Sequence, residues 1–446
     1  MEEFAELEIE ALAAGGDGVG RLDGQAIFVA GAVPGDRLRV RLGERHPRWA
    51  RAAILELLSP GPARRQPPCP VAADCGGCQW QQVADGDQRS ARQAVVADAL
   101  QRIAGLAAWP PPDFAPAPAV LGYRRRAEYR LRCQGAGRLE LGFLARGSHR
   151  LVDHERCLLL EPSLAGAVTA LREHLTAQLA RAGSAELELT LLAGDEGPAL
   201  QVVATLPPGE TASRELPAAL AAWRPPGFAA LHWALRDAEG RLLREPPGAP
   251  FLLERVELAC PDGSILRYPL YTRPGEFVQA NAAANRQLLA ALVADLDASE
   301  EPWLLDLYCG AGNLSLPLAL RGARVLGIES RRSALRSARK AAREARTAKA
   351  RFRAGAVAEL LPALAGEGRR YRTVVLDPPR QGAPELAAQL DPLGVEEIFA
   401  VSCHPASFAR DLADWTARGF GLRSLKLFDF FPQTHHVELL ARLTRA

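Results

Sequence analysis

Two side chains near the carboxyl terminus have the chemistry needed for covalent catalysis on an electron-poor ring. Cys403 stands in the stretch VSCHPA, residues 401–406, and Glu438 follows 35 positions later in the stretch FPQTHHVE, residues 431–438. A thiolate can add to a ring carbon, and a positioned carboxylate can then take a proton from the neighbouring carbon. Together with a methyl donor, this pair of groups indicates covalent methyl transfer to a pyrimidine.

The nucleophile is needed because carbon-5 of uracil is too weakly nucleophilic to take a methyl group unaided. Addition of a thiolate at carbon-6 produces an enolate that can be methylated, and a base must then remove the carbon-5 proton so that the thiolate can leave. Glu438 is the acid best placed for that step, while His435 and His436 are competing candidates. The simpler alternative for Cys403 is a buried structural cysteine, but its position between an apolar strand and a His-Pro turn favours the nucleophile.

The stretch DLYCGAGN, residues 306–313, is typical of a nucleotide-cofactor loop that follows a strand. Its two glycines let the backbone turn close to a ligand before a helix begins. Glu329 closes the next strand, where an acid can accept both hydroxyls of a ribose. Leu314 and Ser315 stand where a dinucleotide site needs a third glycine, so S-adenosylmethionine, which has no phosphates, fits better than a dinucleotide. The alternative is another nucleotide-binding α/β domain.

Asp377 opens the stretch DPPR, residues 377–380, directly after an apolar run that predicts a strand. Open α/β sheets bind ligands at this carboxyl edge. Asp-Pro-Pro resembles the loop with which amino-group methyltransferases hold an exocyclic nitrogen, so nitrogen methylation of a base is an alternative reaction. Those enzymes usually continue with an aromatic residue that stacks on the target base, whereas this chain has Arg380. The substitution weakens the alternative.

Four cysteines offer the ligand set of a metal centre: Cys69, Cys75, Cys78 and Cys157. Four thiolates suit zinc and an iron–sulfur cluster equally well in charge and softness. A structural zinc site usually pairs two CxxC knuckles and only one is present, which favours the cluster. Because the acidic amino terminus lacks the apolar core of a secretory signal, we expect a reducing cytoplasm, where cysteines serve as ligands or catalytic groups rather than disulfides.

Arginines are concentrated in two parts of the chain, although the formal net charge is only +2. Eight arginines face three acids between positions 36 and 65, and nine face four acids between 122 and 156. Arginine donates in a planar fork that matches phosphate, so these stretches indicate contacts with a nucleic-acid backbone. A solvated sheet face is the alternative. Arg37, Arg39 and Arg41 alternate with apolar residues, so a strand would place them on one face.

The length of the chain suits two or three domains, and its patterns divide it into three. Residues 1–58 read as an all-β barrel of OB type, with strand-like runs between glycine-rich turns. Residues 59–272 begin with the clustered cysteines and mix strand patterns, including 150–160, with helical ones. Residues 273–446 alternate strands and helices, the doubly wound α/β signature, and end in an antiparallel hairpin expected at the sheet's edge, as in class I methyltransferases. No apolar run reaches the roughly eighteen residues of a membrane span.

The chain resembles the RNA uracil-5-methyltransferase family, specifically its members that act on 23S rRNA, over nearly its whole length. The resemblance implies an N-terminal TRAM-like barrel, a central α+β domain whose four cysteines hold a 4Fe–4S cluster, and a Rossmann-like class I methyltransferase domain. It also implies roles for individual residues. These are Cys403 as nucleophile, Glu438 as general base and, as contacts of S-adenosylmethionine, Gln279 from the stretch FVQAN, Tyr308, Asn313, Glu329 and Asp377.

Three positions depart from the family pattern without removing a catalytic group. Tyr308 replaces a more frequent phenylalanine, and Ala356 stands where a polar partner of the adenine is common. His404 replaces an asparagine beside the nucleophile, so we expect it to alter the thiol pKa or the contacts with uracil.

The leading hypothesis is a cytoplasmic enzyme that uses S-adenosylmethionine to methylate carbon-5 of a uridine in 23S rRNA, with no evident protein partner. Three alternatives are retained: methylation of carbon-5 of a tRNA uridine, nitrogen methylation of a base through the Asp377 loop, and a non-catalytic RNA-binding protein with a vestigial cofactor fold.

Overall fold

The computed structural model describes residues 3–134, 138–178, 186–206, 220–246, 248–296, 303–384 and 386–445. Over these residues the chain forms a closed barrel, a seven-stranded sheet, an eight-stranded sheet and a separate two-stranded hairpin. Within the described ranges, no helix is long and apolar enough to cross a membrane.

The barrel consists of five strands: β1 Phe4–Leu12, β2 Gly18–Leu22, β3 Gln25–Val29, β4 Arg37–Arg45 and β5 Trp49–Ser59. They close in the order β1-β2-β3-β5-β4. Alternation directs one side of each strand inward, and Ile9, Ile27 and Leu38 pack in the core. The three arginines at positions 37, 39 and 41 are exposed on the other side of β4, which confirms that they share one face.

Of the next two elements, helix α1 (Asp85–Arg102) packs against the eight-stranded sheet near the carboxyl terminus, and strand β6 (Asp113–Ala115) is the last strand of that sheet. The middle of the chain then builds the seven-stranded sheet, with helix α2 (Pro162–Gln178) on one face. Its strands are β7 Arg126–Gln134, β8 Arg138–Leu144, β9 Leu151–Asp153, β10 Glu186–Leu192, β11 Ala199–Thr205, β12 Ala230–Arg236 and β13 Leu242–Arg244.

The strand predicted over residues 150–160 is too long, because only Leu151–Asp153 pairs as β9. From His154 the chain leaves the sheet and turns, which brings Cys157 to the same cavity as the three other clustered cysteines. A hairpin and a helix lead to the last sheet. Strands β14 (Leu252–Ala259) and β15 (Ile265–Thr272) form the hairpin, and helix α3 (Ala282–Asp295) packs on that hairpin.

The eight-stranded sheet contains six further strands: β16 Leu304–Leu307, β17 Val325–Glu329, β18 Ala350–Ala354, β19 Thr373–Leu376, β20 Glu397–Ser402 and β21 Phe420–Phe428, completed by β22 Glu438–Arg445 and by β6. The helices between them are α4 Ser315–Leu320, α5 Arg332–Glu344, α6 Val357–Gly366, α7 Leu386–Leu390 with a 3-10 turn at Asp391–Leu393, and α8 Pro405–Ala417.

The strand order β18-β17-β16-β19-β20-β22-β21-β6 is that of a doubly wound sheet with a terminal antiparallel hairpin, as predicted. Strands β16 to β20 run parallel, and β22 is antiparallel to both β20 and β21. The hairpin is not at the edge of the sheet, however. Strand β6 pairs with Lys426–Phe428 of β21 and covers the backbone groups that these three residues would otherwise leave open.

Candidate active site

The register of the last two neighbouring strands explains how residues 35 positions apart in the sequence meet. Strand β20 ends at Ser402, which pairs with Leu439 of β22 in the antiparallel ladder. Cys403 follows the last paired residue of β20, and Glu438 is the first residue of β22, so both stand at the same end of this ladder. The charge of Glu438 contributes to the raised pKa of the Cys403 thiol, so the two side chains lie near each other. The thiol and the carboxyl group therefore belong to one site.

Alternation along the strands sends five polar side chains to the same side of the sheet. Side chains two positions apart in a strand share a face, and Leu304, Val325, Val375, Val401 and Leu440 all belong to one core cluster. The polar groups that continue these rows at the carboxyl edge of the parallel strands are Asp306, Glu329, Asp377, Cys403 and Glu438.

Cys403 lies between strand β20 and helix α8 and is partly exposed. Burial and the nearby carboxyl groups of Glu438 and Asp377 raise its thiol pKa to about 11, while Arg380 opposes the shift. The amino terminus of α8, two residues away, also favours the thiolate. The thiol is therefore protonated at neutral pH in the free protein, with one guanidinium and one helix terminus available to stabilise the thiolate.

His404 caps helix α8. Its Nδ1 accepts a hydrogen bond from the backbone N–H of Ser407 at 3.2 Å and lies 2.8 Å from the Ser407 hydroxyl, which donates to the Arg380 carbonyl at 2.7 Å. Burial and the nearby cations Arg380 and Arg410 lower the His404 pKa. His404 and Ser407 thus link the turn that carries Cys403 to the loop that carries Asp377.

Glu438 is buried, with 4% of its surface exposed. Burial and the negative charge of Asp377 raise its pKa well above the usual value, and Arg380 acts in the opposite direction. Burial likewise raises the pKa of Asp377. Because two neighbouring carboxyl groups resist double ionisation, the charge of Asp377 makes Glu438 harder to ionise. A carboxylate with a raised pKa is a stronger proton acceptor than an ordinary one.

The loop that precedes Glu438, residues 429–437, is called the base loop here. It carries His435 and His436, whose pKa values burial and nearby cations lower to about 4 and about 3. His435 Nδ1 lies 3.2 Å from Gln79 Oε1, and the two histidine rings are 4.1 Å apart. Both imidazoles are therefore neutral and weakly basic at neutral pH. This favours Glu438 over either histidine for proton removal.

The cofactor loop has the tight backbone that its glycines predicted. Gly310 and Gly312 have φ angles of 52° and 89°, and Tyr308 adopts φ 64°, which costs energy for a residue with a side chain. Asp306 is fully buried and accepts a hydrogen bond from the Ser315 hydroxyl. Burial raises its pKa to about 7, with further contributions from the charges of Asp377 and Glu329. Asp306 was not among the predicted site residues, although its place at a strand end gave a signal.

The other predicted cofactor contacts lie around this loop. Glu329 accepts hydrogen bonds from the backbone N–H groups of Gly310 at 3.2 Å and Arg331 at 2.7 Å. Asn313 exchanges two hydrogen bonds of 2.9 Å with Asn285 of α3. Gln279 donates to Asp377 at 3.5 Å, which joins the FVQAN stretch to the DPPR loop. Ala356 precedes helix α6 and offers no side-chain cap.

The four predicted metal ligands line one cavity of about 530 Å³. Burial and the mutual repulsion of the thiolates raise the pKa of Cys78 to about 12, and burial also raises the pKa of Cys75 and Cys157. The amide of Gly77 donates to Cys75 Sγ at 3.4 Å. In the described part of the chain, no group of three or more His, Cys, Asp or Glu side chains is placed so as to hold a metal ion. Four arginines border the same cavity and bring positive charge to the four thiols: Arg124, Arg126, Arg146 and Arg156.

Family profiles of known proteins match two parts of the chain. The profile of the tRNA (uracil-5-)-methyltransferase family matches residues 266–446, and that of the TRAM domain matches residues 3–55. The 23S rRNA (uracil(1939)-C(5))-methyltransferase RlmD of Pseudomonas aeruginosa is 34% identical over 441 residues, which cover 98% of this chain and 93% of that protein. The RlmD of Edwardsiella ictaluri is also 34% identical, covering 96% of this chain and 92% of that protein.

A solved structure supports the fold over the full length. The tRNA (uracil-54, C5)-methyltransferase of Pyrococcus abyssi, solved with S-adenosyl-L-homocysteine, superposes with a TM-score of 0.70 at 23% identity, covering 100% of both chains. This likeness establishes a class I methyltransferase fold behind an N-terminal TRAM barrel. On the extent of the sequence identity, this chain belongs to the RNA uracil-5-methyltransferase family.

Proposed function

We propose that the chain methylates carbon-5 of a uridine in 23S rRNA with S-adenosylmethionine as methyl donor, Cys403 as nucleophile and Glu438 as general base. One observation carries the proposal: the β20–β22 ladder ends directly beside both Cys403 and Glu438. A nucleophile and a base on the same side of one sheet edge can act on adjacent ring carbons of a single uracil.

The chemistry of each step follows from these groups. After losing its proton, Cys403 adds through sulfur to carbon-6, and the electrons of the 5,6 double bond move toward the carbon-4 carbonyl as an enolate. S-adenosylmethionine, when bound, supplies the methyl group that carbon-5 takes up. Glu438 then accepts the carbon-5 proton, the 5,6 double bond forms again, and sulfur leaves as thiolate. Arg380 lies where it can stabilise the thiolate at the start and at the end.

For the methyl donor, the proposed contacts are Gln279, Tyr308, Asn313, Glu329 and Asp377. Glu329 closes the strand beside the cofactor loop and projects to the same side of the sheet as Asp377, which suits a ribose held between the two strand ends. The Pyrococcus abyssi relative was solved with the demethylated product of this donor. Nitrogen methylation is the weaker candidate because the DPPR loop lacks the stacking aromatic residue and because a nucleophile stands beside it.

The proposed substrate is RNA of the large ribosomal subunit. The exposed arginine face of β4 lies on a TRAM barrel, and such a face suits contacts with phosphates beyond the catalytic pocket. Two relatives that cover nearly the whole chain are named for uracil 1939 of 23S rRNA, whereas the tRNA enzyme is less similar in sequence. We place the enzyme in the cytoplasm, with its substrate.

A strain that lacks this gene tests the reaction and the substrate together. Nucleosides from its 23S rRNA should lose 5-methyluridine at one or more positions, and an intact gene supplied on a plasmid should restore the modification. Mass spectrometry of rRNA and tRNA digests measures the change. Loss confined to tRNA would contradict the rRNA assignment, and loss of an N-methylated base would contradict carbon-5 methylation. A plasmid carrying Cys403→Ala is the matched control and should restore nothing.

We also propose that Cys69, Cys75, Cys78 and Cys157 hold a 4Fe–4S cluster that organises the middle of the chain. Methyl transfer moves no electrons to an external partner, so a structural role is sufficient. The soft thiolates suit iron–sulfur ligation, and arginines beside the cavity offset the negative charge that four thiolates would bring together.

Protein purified without oxygen should be brown and contain iron and sulfide in equal amounts. Cys78→Ser should lose most of the iron, because metal binding needs the full ligand set, while Cys260→Ala, which changes a buried cysteine outside the cavity, should keep it. Metal analysis and visible absorption measure both results. Colourless protein with one zinc per chain would contradict the cluster and leave the ligand set intact.

A further inference from the structure

Helix α1 holds the base loop through a buried arginine. Arg92 has 1% of its surface exposed. Its guanidinium donates to three carbonyl oxygens of the base loop: from Nε to His436 at 3.0 Å, and from Nη2 to Thr434 at 2.8 Å and Phe431 at 3.3 Å. A planar fork with five donors can hold several acceptors at fixed angles, which a lysine ammonium cannot do.

The charge of Arg92 is only partly balanced where it lies. Asp429, at the start of the base loop, is 3.4 Å from Nη1, and burial lowers the Arg92 pKa. The indole ring of Trp80 lies against the guanidinium, with 5.4 Å from Cζ to the ring centroid. Burying an arginine is costly unless its donors are satisfied, so a neutral residue would suit a purely space-filling role better. The hydrogen bonds that the guanidinium donates to the base loop explain why a charged residue is buried at position 92.

A second residue of α1 holds the middle of the same loop. Gln88, one helical turn before Arg92, accepts from the backbone N–H of Gln433 at 3.0 Å and donates to its side-chain oxygen at 3.1 Å. Gln433 has a φ of 71°, a conformation that residues with side chains avoid unless their surroundings impose it. The backbone N–H of Trp80 donates to the Gln433 carbonyl at 3.0 Å. Arg92 and Gln88 together are called the α1 clamp here.

The clamp lies next to the group that needs positioning. The base loop is the connection between β21 and β22, and Glu438 begins β22 two residues after His436, whose carbonyl Arg92 holds. The β20–β22 ladder ends at Leu439, and the β21–β22 ladder ends at Glu438, which pairs with Phe428. The clamp holds residues of the base loop that precede Glu438, whereas the strand pairing holds Glu438 and the residues after it. The direction of the Glu438 carboxyl group therefore depends on the clamp as well as on the strand pairing.

We infer that the α1 clamp positions Glu438 for removal of the carbon-5 proton, and that Arg92 and Gln88 are positioning residues for this step. The inference rests on the proposed function, since it needs Glu438 as the base. Cys403 is held by β20 and by the cap of α8, whereas the hydrogen bonds of the clamp described above go to the base loop. Loss of the clamp should therefore slow elimination while the addition of Cys403 and methyl transfer continue.

The test separates the two halves of the reaction in a single turnover. Each variant is mixed with unmodified 23S rRNA transcript and S-adenosylmethionine tritiated in the methyl group, and the reaction is quenched with detergent after set times. After digestion of the RNA, tritium that migrates with the protein measures the methylated covalent adduct, and tritium free of protein measures the completed product.

Arg92→Met should accumulate the methylated adduct, with elimination slowed by roughly 10- to 100-fold, the effect expected when a reacting group moves by about 1 Å. The rate of adduct formation should stay within about threefold of that of the unaltered enzyme. Arg92→Lys should give a smaller shift in the same direction. Arg102→Met changes an exposed arginine at the other end of α1 and should leave both rates unchanged.

The two failures can be told apart with Glu438→Gln in the same assay. If Glu438→Gln accumulates no adduct, the proposed base is wrong. If Glu438→Gln accumulates adduct but the Arg92 variants slow both steps equally, or neither, the clamp has no positioning role and the inference is overturned. Should Arg92→Met not fold, as judged by its thermal unfolding, Gln88→Met decides: adduct accumulation supports the inference, and an unchanged partition overturns it.

Discussion

Replacing Cys403 with alanine is expected to abolish the covalent adduct with RNA and to lower methylation by roughly 10⁴-fold or more, as removal of a catalytic nucleophile does in other enzymes. The reason is that carbon-5 becomes nucleophilic only after sulfur adds at carbon-6, and the other thiol near this sheet edge among the described residues is buried. Cys309, the nearest cysteine in the sequence, is buried at the cofactor loop, with 5% of its surface exposed.

The adduct is best measured with RNA that contains 5-fluorouridine. Fluorine at carbon-5 cannot leave as a proton does, so the adduct should persist after methyl transfer and should shift the protein on a denaturing gel. The unaltered enzyme and Cys260→Ala should both form it, and Cys403→Ala should not. An adduct on Cys403→Ala would mean that another residue is the nucleophile. Normal turnover without any adduct would favour methylation on nitrogen.

The strands that carry the site could be predicted from the sequence because they are short and apolar. Strands β16, β17, β19 and β20 are buried on both faces, so their residues form continuous hydrophobic runs. The polar residue after each run marks the carboxyl edge. Strand β18 was not predicted, because its five residues ARFRA include two arginines and lack the continuous hydrophobic run of the neighbouring strands.

Relations between distant parts of the chain could not be predicted in the same way. The hairpin was expected at the sheet's edge because nothing in the three residues Asp113–Ala115 indicates that they pair with β21. Arg92 is one of many arginines in the sequence, and its contacts lie more than 330 positions away. Its role depends on the burial of α1 against the eight-stranded sheet, where Val96 and Leu100 join the core. Local periodicity carries no such information.

The departure at His404 shows the same limit on a smaller scale. The sequence placed an imidazole beside the nucleophile, where an effect on the thiol or on the uracil was expected. In the structure, Nδ1 is used as the cap of helix α8 and meets the Ser407 hydroxyl. Asparagine is also a good N-cap, so histidine at this position still caps helix α8. The choice between these roles depends on the direction of the side chain, which the sequence does not specify.

Glu438→Gln should trap the methylated adduct on ordinary RNA, without fluorine. Glutamine keeps the shape of glutamate but cannot accept the carbon-5 proton, so sulfur cannot leave, and turnover should fall by roughly 10²- to 10⁴-fold. Formation of the adduct should not slow, because the negative charge of Glu438 is one cause of the raised Cys403 pKa. Removing that charge makes the thiolate easier to form.

The same experiment distinguishes Glu438 from the other groups that could take the proton. Glu397→Gln, at the opposite end of β20 where the carboxyl group pairs with Arg442, is the matched control and should turn over normally. If His436 were the base, Glu438→Gln would release its product and His436→Asn would accumulate the adduct instead. We expect the reverse, because burial and nearby cations hold the His436 pKa near 3, whereas burial and Asp377 raise that of Glu438. Of these two groups, only the carboxylate holds the proton strongly enough to draw it from carbon-5.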